Sequence, residues 1–232
     1  MAELSSTPAP TAVLLDLDGT ITDSAAAITT AAAATLRRAG YPALLASALL
    51  RFAGPPIREG FSTIVGAPGD HLDDLVREFR RQYRPRMHDV TVYDGMRDLL
   101  ADLNSAGIPL ALATSKVRTL AVQILQRLGL DQHFVVICGA RDDETGGTKA
   151  EVVRDALRAL ADAGCDLTAP VLVGDRRHDI EGAQANDIAA ILVRWGFGDD
   201  DEGAGAMAVV QDVPELATHL LPARIPGAGI RR

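Results

Sequence analysis

The sequence has few aromatic side chains, few cysteines and no surplus of positive charge. Tryptophan, tyrosine and phenylalanine supply only 4% of its 232 residues, yet 47% are hydrophobic, which is enough for a sizeable core. The two cysteines, Cys138 and Cys165, lie far apart and match no metal-type spacing, so each reads as a buried reduced thiol. The net charge of -8 argues against general binding to nucleic acid or to an anionic membrane. No apolar run is long enough to span a bilayer. The opening "MAELSSTPAP" has neither a basic start nor an apolar core and does not read as a secretory signal. A cytoplasmic protein without nucleic-acid or membrane partners is the expectation, as a monomer or homodimer.

What is present is an alternation. Short apolar runs at 12–15, 109–114, 134–138, 170–174 and 189–194, with a weaker one at 206–210, suit buried parallel strands. Helical patterns lie between them at 94–106, 116–128, 149–163 and 178–186, the first two stopped by Gly107 and Gly129. This alternation predicts an α/β fold, a parallel sheet covered by helices. From 22 to 88 the pattern is helical with no convincing strand, so a helical unit interrupts the sheet after its first strand. Residues 1–11 and 222–232 read as loose ends.

The chemistry gathers where strands end. "LLDLDGTITDS" places Asp16 and Asp18 at the exit of the first strand, two apart and therefore on one side. Two acids in a poorly solvated place raise each other's cost, which a metal, a reaction or both must offset. Gly19 lets the chain turn sharply there. The second strand ends in "ATSK", where Thr114, Ser115 and Lys116 offer hydroxyls and N–H groups at an expected helix start, a place for phosphate or for plain capping. Lys149, after "TGGT", can screen a phosphate or neutralise Asp16, although alone it reads as a solvated lysine. "VGDRRHD" adds Asp175 and Asp179 at a further strand end. Four acids make a hard oxygen site that suits Mg²⁺, and Asp179 also reads as a helix cap. Arg176 and Arg177 in the same loop read as substrate contacts or charge balance. His178 is the one histidine beside these acids. "FGDDDEG", at 197–203, reads as a solvated loop.

In their order along the chain, these motifs resemble the haloacid dehalogenase superfamily of aspartate-nucleophile phosphatases, from about residue 12 to 220. The resemblance implies a Rossmann-like core of 12–21 and 89–221 with helices on both faces, and a mobile helical cap of 22–88. It implies Asp16 as nucleophile and Asp18 as general acid/base. Thr114, with Gly19, Ser115 and Lys149, would bind phosphate, and Asp16, Asp18, Asp175 and Asp179 would surround Mg²⁺. "GPPIREGF" and "TSK" resemble a bacterial subgroup labelled phosphoglycolate phosphatase or 5′-nucleotidase, and Arg58 is the cap residue expected to read the leaving group. The acid at position 18 favours phosphoryl transfer over dehalogenation. The lack of lysine between 22 and 90 disfavours Schiff-base phosphonatase chemistry. The expected activity is hydrolysis of a small phosphorylated metabolite (phosphoglycolate, a nucleotide or a sugar phosphate). The alternatives are a phosphomutase of the same fold and a protein-directed, phosphotyrosine-type enzyme docking through the arginine-rich stretch 77–86.

Overall fold

The computed structural model describes residues 9–143 and 146–222; the ends expected to be loose lie largely outside them. Along the chain come β1 (Ala12–Leu15), β2 (Thr22–Asp23), α1 (Ala25–Arg38), α2 (Ala46–Leu50), α3 (Ile57–Val65), α4 (Gly69–Tyr83), β3 (Thr91–Val92) and α5 (Met96–Ser105). Then follow β4 (Leu110–Val117), α6 (Arg118–Leu128), β5 (Val136–Ala140), α7 (Lys149–Asp162), β6 (Pro170–Gly174), α8 (Arg177–Gln184), β7 (Ala189–Val193), β8 (Ala208–Val210) and α9 (Val213–Leu220).

Six strands form one parallel sheet in the order β5-β4-β1-β6-β7-β8. Every residue of β1 is buried, because successive side chains enter opposite cores. Val13 and Leu15 join the core that holds Leu100, Ile124 and Leu216 of α5, α6 and α9. Ala12 and Leu14 join the core beneath α7 and α8, with Val153 and Ile180. From β1 the sheet grows first to one side, through β4 and β5, and then to the other, through β6, β7 and β8. β1 therefore lies where the strand order reverses, and ligands bind in open parallel sheets beyond the carboxyl ends at that point.

Two boundaries differ from the sequence pattern. The expected strandless segment begins with β2, which pairs antiparallel with β3 just beyond its far end. A two-residue strand has no periodicity to detect. The helix expected from 116 begins at Arg118 instead, because β4 continues to Val117 through a register shift beside β5. Gly139 on β5 permits this: a Cβ there would lie 2.5 Å from the Lys116 carbonyl oxygen. Thr114 and Ser115 are thus strand residues, and neither caps a helix. Asp23 does support the start of α1, since its Oδ1 accepts the Ala25 N–H at 3.1 Å.

Candidate active site

Strand ends β1, β4 and β6 and the first turns of α7 and α8 converge on one buried group of charges. Asp16, Asp175 and Asp179 each offer an oxygen within 4.8 Å of the others. Lys149, at the first position of α7, is almost completely buried, not the solvated lysine its local sequence suggests. Its Nζ lies 2.9 Å from Asp16 Oδ1 and 2.8 Å from Asp179 Oδ1, and donates to the Ala113 carbonyl at 3.0 Å. Burial opposes its charge, but Asp16 and Asp179 hold the ammonium above the usual lysine range. The Lys149 stem is packed against Gly182 of α8, where a Cβ would lie 2.5 Å from its Cγ.

The acids are under-compensated. Burial, opposed by the Lys149 charge and reinforced by Asp179, pushes Asp16 up to about 6. Burial and the charges of Asp179 and Asp16 raise Asp175 well above the usual carboxylate range, although the Phe197 N–H donates to its Oδ2 at 2.7 Å. Its Oδ1 is buried without a partner. Three hard carboxylates, one ammonium and an orphaned oxygen fit a small divalent cation. Asp179 caps α8 from inside rather than from the N-cap position: it is the third residue of that helix, and its Oδ2 accepts the N–H of Arg176, the residue before the helix, at 3.0 Å.

Asp18 stands outside this acid group. Its Oδ2 lies 2.9 Å from Lys116 Nζ, a pairing with no signal in the sequence, and its Oδ1 is buried without a partner. Gly19 turns the chain at φ +85°, and a Cβ there would lie 2.1 Å from Asp175 Oδ2. Thr114 is buried, and its Oγ1 accepts the Lys116 N–H at 3.3 Å.

A cavity of about 70 Å³ opens on Asp16, Asp18, Thr114 and Ser115 from the sheet, and on Phe52, Phe79, Arg80 and Tyr83 from the helical segment. Arg58 is not among the residues that line it; it pairs with Asp73 on a partly exposed face. Arg80 is the arginine that the helical segment brings to the cavity wall. A correction falls on "FGDDDEG", which is not wholly solvated. Its Glu202 is buried and grips Arg176 at 3.1 Å, while Arg176 Nη1 donates to the Ala53 carbonyl at 2.6 Å. Arg176 therefore ties the loop after β6 to the "GPPIRE" loop. His178 lies 3.7 Å from Glu181, away from the acids' own contacts. Both cysteines are free and only half-buried.

Residues 13–193 match the haloacid dehalogenase-like hydrolase family, and the chain belongs to that family. It is 38% identical to the tyrosine-protein kinase PtkA of Mycobacterium tuberculosis over 83% of its length, and spans 65% of that protein. It is 35% identical to a phosphoglycolate phosphatase of Cupriavidus necator, over 94% of this chain and 96% of that one. A crystal structure described as a predicted phosphatase from Clostridium acetobutylicum superposes with a TM-score of 0.84, at 32% identity over 90% of this chain and 97% of the other. No helix among the described residues is long and apolar enough to cross a membrane.

Proposed function

We propose that this chain is a Mg²⁺-dependent phosphatase that hydrolyses a small phosphate monoester through an aspartyl-phosphate intermediate. The observation that carries the proposal is the pair Asp16 and Asp18 on one cavity, held by two different lysines. One carboxylate sits among acids suited to a cation, and the other is kept apart with one oxygen free.

Asp16, Asp175 and Asp179 would hold Mg²⁺, which when bound supplies charge to the transferring phosphoryl oxygens. Thr114, Ser115 and Lys149 add a hydroxyl pair and a buried ammonium, fixed before substrate arrives, so little reorganisation is needed as charge spreads. A carboxylate oxygen of Asp16 bonds to phosphorus as the ester P–O bond breaks. Asp18 gives its proton to the departing oxygen, then takes one from the water that attacks the aspartyl phosphate, which returns Asp16 and releases phosphate. Residues 22–88 act as the cap over this chemistry and exclude water during the first transfer.

The small volume of the cavity, about 70 Å³, supports a small metabolite over a protein side chain, while the similarity to a tyrosine-protein kinase keeps phosphotyrosine as the second candidate. The test is turnover of phosphoglycolate, nucleoside 5′-monophosphates, sugar phosphates and phosphotyrosine peptides with and without Mg²⁺. Mg²⁺-dependent release of phosphate, abolished in Asp16→Asn, is expected. Appreciable turnover by that variant would overturn the assignment of the nucleophile.

A further inference from the structure

We propose that Lys116 is a positioning residue that couples the placement of the cap to Asp18, with the Tyr83 hydroxyl as the cap's half of the connection. This inference rests on the phosphatase reading above.

Tyr83 ends α4, and its side chain is buried against the cap interior. It stacks on Phe79 at 5.6 Å and 10°; Phe79 meets Phe61 edge-on at 6.2 Å, and Phe61 meets Phe52 at 5.1 Å. Three of the five phenylalanines of an aromatic-poor chain stand in this one file. A file of interlocked rings holds the last one in a fixed direction. The Tyr83 hydroxyl consequently meets the sheet at a defined point, accepting from Lys116 Nζ at 2.9 Å, and the same ammonium lies 4.5 Å from the Tyr83 ring centroid.

Lys116 belongs to the sheet. It sits in the register shift at the end of β4, where the chain departs from regular pairing. Its side chain is 9% exposed, and its ammonium faces Asp18 Oδ2 at 2.9 Å on one side and Tyr83 on the other. A buried ammonium with two partners has one orientation; with one partner it regains freedom. Of the two Asp18 oxygens, Lys116 holds Oδ2 and leaves Oδ1 buried and unpartnered, in a residue that lines the cavity. Anchoring one oxygen sets the plane of the carboxyl and hence the place of the other, which serves the leaving oxygen. A cap in any other position withdraws Tyr83 from Lys116. Asp18 is therefore aligned for proton transfer when the cap lies as seen here.

Tyr83→Phe tests this, because it removes the hydroxyl and keeps the ring file. The probes are p-nitrophenyl phosphate, whose leaving group departs without a proton, and benzyl phosphate, whose alkoxide needs one. The ratio kcat/KM reports steps up to release of that group. The expected result is a fall of about tenfold or more for benzyl phosphate, and a change within about twofold for p-nitrophenyl phosphate. Lys116→Met should repeat the pattern, and adding Tyr83→Phe to it should lower kcat/KM no further, since the two side chains act as one unit. Equal losses on both esters, no loss on either, or additive losses would overturn the connection while leaving the phosphatase intact. Failure of the unaltered protein to hydrolyse both esters would instead overturn the phosphatase reading, and the connection with it.

Discussion

Lys149 Nζ lies 2.9 Å from Asp16 Oδ1, with both side chains withdrawn from solvent. Even so, one ammonium does not balance three buried acids: Asp16 stays near 6 against an ordinary 3.8, and Asp175 is raised well above its ordinary value. The folded chain holds these protons where the unfolded chain has lost them. The stability that the Asp16 proton contributes is full below the ordinary carboxylate range and is lost as pH rises through about 6. A cation at the three acids replaces those protons. The rise in Tm caused by Mg²⁺ is therefore expected to be larger at about pH 7.5 than at about pH 5.5. Thermal unfolding at both values checks this; equal shifts would contradict a cation held by Asp16 and Asp175.

Gly19 carries one of the closest approaches in the site. Its positive φ and the position of Asp175 Oδ2, 2.1 Å from where a Cβ would stand, leave no room for a side chain. Gly19→Ala is expected to cost about 2 kcal/mol or more, from a strained backbone and a displaced carboxylate. Because the carboxylate that moves is one of the three acids, the Mg²⁺-induced shift in Tm should shrink as well. Urea unfolding measures the first effect and thermal unfolding with Mg²⁺ the second. A stable variant with an undiminished shift would refute the close packing of Gly19 on Asp175.

Arg176 and Glu202 form a buried pair that crosses from the loop after β6 to the loop after β7, and Arg176 reaches the Ala53 carbonyl besides. Breaking it from one side strands a charge. Arg176→Met is expected to destabilise by about 3 kcal/mol. Arg176→Met combined with Glu202→Leu should cost less than the sum of the two single changes, because no unpaired charge remains. Denaturant unfolding of the three variants is the measurement, and strict additivity would show that the pair is not coupled.

Much of the core was legible. Runs of apolar residues buried on both faces mark β1, β6 and β7 within a residue, and the start of β4, because a parallel strand in a covered sheet has no polar side. Asp16, Asp175 and Asp179 were also legible, as acids at the carboxyl ends of such runs. Lys149 was placed by its motif, while its burial was not foreseen, since nothing local distinguishes it from a surface lysine. The partners that joined the site from afar left no local trace. Lys116 turns to Asp18 through an irregular strand end, and Tyr83 arrives on a helix 33 residues earlier in the chain. Glu202 hides in a run of acids whose other members are exposed.

By itself, then, the sequence determined the sheet, its helical covering and the three clustered acids. Those follow from local periodicity and from residue types at strand ends, which act over a few positions. The tertiary structure alone decided which lysine meets which aspartate, which arginine faces the cavity, and where Glu202 is buried. Such pairings depend on the register of β4 beside β5 and on how α4 lies over the sheet, and those are consequences of packing between segments far apart in the chain.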